Sequence, residues 1–184
     1  MGIRAPRILL IRAASRWNLP HMSQFPRIAL RPVESADLPL FFEHQRDPIA
    51  VAMVDFKSRD RAAFDQHWAK ILADETGLIR TITFDVSPES EENVAGNIVS
   101  WNSDGQREIG YWIDRAYWGR GVATAALSAF LHLEETRPLY AGVAKRNAAS
   151  VRVLQKCGFT FRQSSGETSD ESDESHFLLV LSPS

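Results

Sequence analysis

The sequence predicts a single domain of mixed α/β (α+β) class, and three observations carry that prediction. Residues 78–113 hold three alternating or apolar stretches separated by short polar turns, the pattern of an antiparallel meander. Residues 109–123, Ile-Gly-Tyr-Trp-Ile-Asp-Arg-Ala-Tyr-Trp-Gly-Arg-Gly-Val-Ala, run an apolar strand into a glycine turn that opens a helix. A short apolar strand at 139–144 then leads into a helix begun by Asn147, so strand and helix alternate in the second half.

The elements follow in order. Residues 27–32 alternate as a first strand, with Ile28 and Leu30 on one face. Ser35 is the expected N-cap of a short helix, 36–45, carrying Leu38, Phe41 and Phe42, and Asp47-Pro48 is expected to stop it. Ser58 is the expected cap of the next helix, 59–74. There Phe64, Trp68, Ile71 and Leu72 recur at helical spacing, and Gly77 is the expected terminator. His67, beside that stripe, reads as a packed or surface histidine. Strands at 78–85 and 94–101 flank an acid-rich turn, and Asn102-Ser-Asp-Gly105 turns the chain into a strand at 107–113. After the glycine turn Val122, Ala126, Phe130 and Leu133 share one helix face, which Pro138 ends. The Asn147 helix closes at Gly158. Residues 159–162 and 176–181 form a last hairpin around a loop holding Glu167, Asp170, Glu171, Asp173 and Glu174. That loop reads either as a solvated tip or as an acidic rim that attracts amines.

Composition narrows the function. A chain of 184 residues, 44% hydrophobic and 24% charged, is long enough to bury a core and ordinary for a soluble domain. One cysteine, Cys157, excludes a disulfide framework, cannot by itself make a zinc site, and suits a reducing cytoplasm. No apolar run approaches the roughly 18 residues of a membrane span. The net charge of −2 argues against nucleic acid as the main partner. Residues 1–21 carry Arg4, Arg7, Arg12 and Arg16 and no acid. They read as a translation or vector leader ending at His21-Met22, as a mitochondrial-type presequence or as a genuine extension. The first is favoured, because His-Met is what a common cloning site encodes. The single domain is then 22–184. Setting aside those four of the 21 basic residues leaves 17 against 23 acids, a charge of −6 that suits a cationic substrate.

Gly119 and Gly121 open conformations closed to other residues. The amides of Gly119, Arg120, Gly121 and Val122 can therefore converge on an anion at the positive end of the helix dipole, with Arg120 as a further cation. Phosphate or pyrophosphate is the natural occupant. The turn is not a P-loop, because no Gly-Lys-Ser/Thr follows. It is a poor Rossmann turn, because Thr124 stands at the third glycine position and the next strand ends in Lys145 instead of an acid. It resembles the acetyl-CoA loop of the GNAT superfamily of N-acetyltransferases, Gln/Arg-x-x-Gly-x-Gly/Ala, with Gly121 and Ala123 in the small positions. Trp118 in place of Gln/Arg, together with Gly110-Tyr111-Trp112, is similar to the Gly-Tyr-Trp…Tyr-Trp-Gly-Lys-Gly-x-Ala-Thr signature of the RimJ/RimL-like branch. A second motif runs from Asn147 through Ser150, Arg152, Lys156 and Gly158 to Phe159, and resembles that branch's Asn-x-x-Ser-x-Arg-Val-x-x-Lys-x-Gly-Phe. Leu30-Arg31-Pro32 followed by Asp37 resembles the family's opening, so the resemblance covers about residues 27–182.

The resemblance implies a GNAT fold, a mixed and mostly antiparallel sheet splayed after its fourth strand, with helices on both faces. It implies transfer of acetyl from acetyl-CoA to a primary amine, a protein N-terminus or a small molecule, by direct attack in a ternary complex. Trp118, Gly119, Arg120, Gly121, Val122 and Ala123 would seat the cofactor's phosphates. Asn147 and Arg152 would hold the cofactor further along, and the backbone opened after Ile113, near Ile113 and Asp114, would bind pantetheine and the thioester oxygen. Many members carry a tyrosine acid four residues after the small residue of the second motif; Leu154 stands there, and Ser150 is the hydroxyl this branch usually offers. Glu108, then Asp114, are the candidates for proton removal, each equally readable as a solvated strand-edge carboxylate. Asn147 is also a plain N-cap candidate. Cys157, near a helix C-terminus, is a poor nucleophile. Ala125 occupies a position that is often acidic in the branch. The rival from another class is a catalytically silent acyl-CoA-binding regulatory domain. A cytoplasmic monomer or homodimer without nucleic-acid, membrane or metal partners is expected.

Overall fold

Alternation builds the first half of the sheet. β1 (Arg27–Arg31), β2 (Leu78–Asp85), β3 (Asn93–Ser103) and β4 (Gln106–Ile113) pair in sequence order, all antiparallel. The computed structural model describes residues 27–54, 57–85, 93–162 and 176–183; the 1–21 segment and the acidic loop from Glu167 to Glu174 lie outside them. Asp104 and Gly105, with φ of 47° and 78°, make the two-residue turn between β3 and β4, where positive φ matches the twist of the flanking strands. The register between β2 and β3 slips at Ile82/Thr83, leaving Ala95 as an extra residue opposite the end of β4. Gly96 beside it is obligatory, because an added Cβ would lie 2.0 Å from the Trp112 carbonyl oxygen.

The second half runs through α4 (Val122–Phe130), β5 (Leu139–Ala144), α5 (Ala148–Lys156), β6 (Thr160–Phe161) and β7 (His176–Leu181). The sheet order is β1-β2-β3-β4-β5-β7-β6. β4 and β5 are its parallel neighbours, and they pair only at Arg107↔Leu139 and Glu108↔Tyr140. β5 then follows β7 through six antiparallel pairs and leaves β4 behind. The sheet therefore forks after Glu108, five residues earlier than the expected parting after Ile113, because the full β5–β7 ladder fixes the course of β5. Gly110 and Gly142 both line the fork, and an added Cβ at Gly142 would meet nothing within 4 Å, so no side chain fills it there.

Alternate residues of β2 face opposite sides, as strand geometry requires. Ile82 and Phe84 join the main core with Ile98, Ile109, Leu127, Phe130 and Leu154, which places α4 and α5 on one side. Ile79 packs on the other side with Phe41, Phe64 and Trp68, from α1 (Leu38–His44) and α3 (Arg61–Ala73). Buried Asp37 ties α1 to the sheet. Burial raises its pKa, but hydrogen bonds from Arg31 (2.7 and 2.8 Å), the Glu34 amide (2.9 Å) and Thr81 (2.7 Å) outweigh that and hold it below the usual range.

Several boundaries differ from the sequence reading. Ser35 begins a 3₁₀ turn whose cap position is Glu34, and Asp37 completes a capping box. Asp60, and not Ser58, caps α3 by accepting from the Ala63 amide at 2.8 Å; the Ser58 hydroxyl donates to the Gln45 carbonyl. α3 closes at Asp74 in extended backbone, before Gly77, and Leu72 is 47% exposed. α4 ends at Phe130, well before Pro138, so Leu133 lies beyond the helix. Asp47-Pro48, the expected stop, starts a further helix, α2 (Pro48–Met53). Asp47 Oδ1 accepts from the Ile49 and Ala50 amides at 2.8 and 3.0 Å, and Pro48 needs no amide partner at a first helical position. Among the described residues no helix is long and apolar enough to cross a membrane.

Candidate active site

The glycine turn has the shape its residues allow. Gly119 and Gly121 take φ of 72° and 78°, and Gly121 caps α4 in left-handed backbone without a side chain to offer. Its carbonyl accepts the Ala125 amide at 3.0 Å, which leaves the amides of residues 122–124 at the positive end of the helix with no partner inside it. These amides face one end of a groove of about 610 Å³. β4 supplies Tyr111, Trp112 and Ile113 along the groove; α5 supplies Ser150, Arg152, Val153 and Lys156; α2 adds Ala50 and Met53. A second cavity of about 190 Å³ lies in the fork, lined by Ile109 and Gly110 on one side and Ala141 to Ala144 and His176 on the other. Val54, Tyr111, Asn147 and Ser150 line both, so groove and fork adjoin at those residues.

The backbone of β4 serves the fork by alternation. The Asp114 amide donates to the Ala95 carbonyl at 2.8 Å, so Asp114, Trp112 and Gly110 bond toward β3, whereas Ile113 and Tyr111 turn their backbone groups toward the fork. This corrects half of the expected oxyanion pair: the Asp114 amide is spent, and the Ile113 amide faces the gap. The Ile113 carbonyl accepts the Trp118 indole N–H at 2.9 Å, which lays that ring along the groove.

Of the other expected site residues, Gly119, Gly121, Val122, Ala123, Trp118, Asn147, Ser150, Arg152 and Ile113 all line the groove. Asn147 is also the cap of α5, its Oδ1 accepting the Ser150 amide at 3.1 Å. Arg120 does not line it; its guanidinium lies over the Tyr117 ring, 6.0 Å from the centroid. Glu108 and Asp114 line neither cavity. Glu108 shares the β4 face of Trp112, whose indole donates to the His44 carbonyl at 3.1 Å, so it points to the α1 side. Asp114 caps a 3₁₀ turn through the Ala116 amide and lies 3.5 Å from His44 Nε2. Burial pushes the His44 imidazole below its ordinary pKa, against the pull of Asp114. Cys157 lines neither cavity, and burial raises its thiol pKa.

Sequence reasoning missed the α2 wall and the arginines that fasten it. Arg115 Nε meets Asp47 Oδ2 at 2.7 Å at its start, and Arg146 donates to the Ala52 and Val54 carbonyls at 2.9 and 2.7 Å at its end. It also missed Lys156 as a groove cation, His176 in the fork, and Tyr111. The Tyr111 hydroxyl is buried and makes no hydrogen bond of good geometry among the described residues; burial pushes its pKa up to about 12, while the hydroxyl of Ser150, close enough to interact with it, pulls the other way. Among the described residues no cluster of His, Cys, Asp or Glu is placed to hold a metal.

The family model for the acetyltransferase (GNAT) domain matches residues 27–160, and the chain belongs to that family. A probable N-acetyltransferase of Bacillus subtilis (strain 168), YjcK, is 45% identical over 56 residues, 28% of this chain. The match spans 30% of that protein, less than a third of its length. Among solved structures, an acetyltransferase from Agrobacterium tumefaciens str. C58 superposes with a TM-score of 0.68 at 19% identity, covering 94% of this chain and 99% of that one. Spermidine N-acetyltransferase from Vibrio cholerae, in complex with CoA and spermine, superposes at 0.65 with 15% identity, covering 83% and 92%.

Proposed function

We propose that this acetyltransferase, a member of the RimJ/RimL-like branch, moves acetyl from acetyl-CoA to a primary amine by direct attack in a ternary complex. The observation that carries this reading is the groove that runs from the left-handed glycine turn to Ser150, a residue that also lines the fork. A pyrophosphate suits the turn amides, and Arg152 and Lys156 add cations beside it. Asn147 meets the pantetheine, and the Ile113 amide faces the thioester oxygen.

The acceptor is a protein N-terminus or a small-molecule amine. An α-amino group, titrating near 7.7 to 8.0, needs less help to become neutral than a lysine near 10.4. Glu108 and Asp114 line neither cavity, so a proton taken by either passes through water. A panel of amines, followed by CoA thiol release and by mass spectrometry for an added acetyl group, tests the reading. A silent binding domain, the reading that Leu154 at the usual tyrosine position favours, would hold CoA and release none.

Ser150 is the hydroxyl nearest the leaving sulfur in this reading. It shares a helix face with Asn147, three residues earlier, so both meet one stretch of pantetheine. Ser150→Ala is expected to lower kcat by about 100-fold, the low end for acid assistance because a thiolate leaves readily. Acetyl-CoA affinity should stay within about threefold, since the phosphates still bind the turn. Full kcat under conditions where chemistry limits turnover would leave Ser150 a helix residue only.

A further inference from the structure

We propose that Tyr111 is a second hydrogen-bond donor to the departing sulfur, acting beside Ser150 from the opposite wall of the fork. The inference rests on the acetyl-transfer reading and names a residue for which that reading gives no role. Tyr111 belongs to the residues shared by groove and fork, so its ring stands where the cofactor's arm must end. Its hydroxyl is out of contact with solvent and lacks a well-formed partner among the described residues. Leaving a buried hydroxyl unpaired is costly in the empty protein, so a group that arrives with negative charge gains a donor already stripped of water. Tyr111 stands on β4 and Ser150 on α5, with the two side chains close enough to interact.

The chemistry balances without a proton leaving the phenol. The amine nitrogen bonds to the thioester carbon, the carbon–sulfur bond breaks, its electron pair goes to sulfur, and the nitrogen's proton passes to solvent. A phenol pushed up to about 12 cannot profitably protonate a thiolate, since an alkyl thiol such as that of cysteine titrates far lower, near 8.5, but it can donate a hydrogen bond to it. Tyr111 is therefore a stabilising donor, not a general acid, and this is how the site works with Leu154 at the position four residues after Ser150.

The test uses the whole chain and whichever amine the wild type accepts. Tyr111→Phe is expected to lower kcat about 10- to 100-fold, with the KM for acetyl-CoA changed by less than about threefold. Its melting temperature should stay level or rise, because the lost hydroxyl makes no well-formed hydrogen bond in the empty protein. The Tyr111→Phe/Ser150→Ala double variant should lose less than the product of the single losses, since both hydroxyls serve one charge. Unchanged kcat, a rise in KM alone, independent losses, or a loss of activity that tracks a lowered melting temperature would each overturn the assignment. A wild type that binds CoA but acetylates no amine would sink the acetyl-transfer reading and this inference with it. A wild type that turns over beside a fully active Tyr111→Phe would sink this inference alone.

Discussion

Gly121→Val is expected to leave the domain folded and weaken acetyl-CoA binding by about 100-fold or more. Gly121 sits at φ 78° and ψ 2°, the left-handed region, which a β-branched residue occupies only at a cost of about 1 to 3 kcal/mol. An added Cβ meets nothing within 4 Å, so the substitution creates no clash in the empty protein and the core is untouched. The damage falls on the ligand. Relieving the strained φ swings the 121–122 peptide and scatters the amides at the head of α4, while the new methyl groups fill the open space that a pyrophosphate must enter. Calorimetry with CoA, beside a thermal melt, separates the effects. A folded variant with unchanged CoA affinity would mean that the phosphates sit elsewhere.

The parts of the site that were legible in the sequence are those whose chemistry is local. Gly119 and Gly121 announce positive φ, Asn147 announces a helix start, and Asp104-Gly105 announces a tight hairpin; in each case neighbouring residues alone decide the conformation. Asp47-Pro48 shows that one local signal can be read two ways: α1 already ends at His44, and the pair, read as a stop, opens α2 through the Asp47 cap and Pro48 at the first helical position. What remained hidden depends on partners far along the chain. The fork is set by the β5–β7 ladder and not by any residue of β4. Tyr111 reads as one more alternating strand residue until α5 brings Ser150 beside it. Arg146 reads as a turn cation until α2, more than 90 residues earlier, offers it two carbonyls. Glu134, in a charged stretch after α4, carries no sequence sign that it is 4% exposed.

Glu134→Gln is expected to cost about 3 to 5 kcal/mol of stability, the usual penalty for breaking a buried ion pair from one side. Glu134 Oε2 accepts from Arg107 Nη2 and Nε at 2.7 and 2.9 Å and from the Ser100 hydroxyl, and Oε1 accepts from the Thr136 amide at 2.9 Å. Arg107 is 9% exposed at its side chain, so glutamine leaves a nearly buried guanidinium facing a neutral amide. At roughly 2 to 4 °C per kcal/mol for a chain of this size, the melting temperature should fall by about 6 to 20 °C. The pair joins β3, β4 and the segment after α4 at the closed end of the fork, beside the Arg107↔Leu139 pairing. Acid should act on the wild type in the same way. Burial would raise the Glu134 pKa, but the hydrogen bonds from Ser100, Thr136 and Arg107 outweigh it and take it from an ordinary 4.5 down to about 2. Because the folded value is the lower one, this stabilisation is complete above about pH 4.5 and is lost as pH falls from there through about 2. Glu134→Gln removes that group's share of the acid limb, so its stability curve should run flatter than that of the wild type between those values. Glu135→Gln, at an exposed neighbour, serves as the control and should change neither quantity. A Glu134→Gln variant that melts within 2 °C of the wild type, with the same acid limb, would show that water or another group replaces the carboxylate at Arg107 and that the closed end of the fork needs no ion pair.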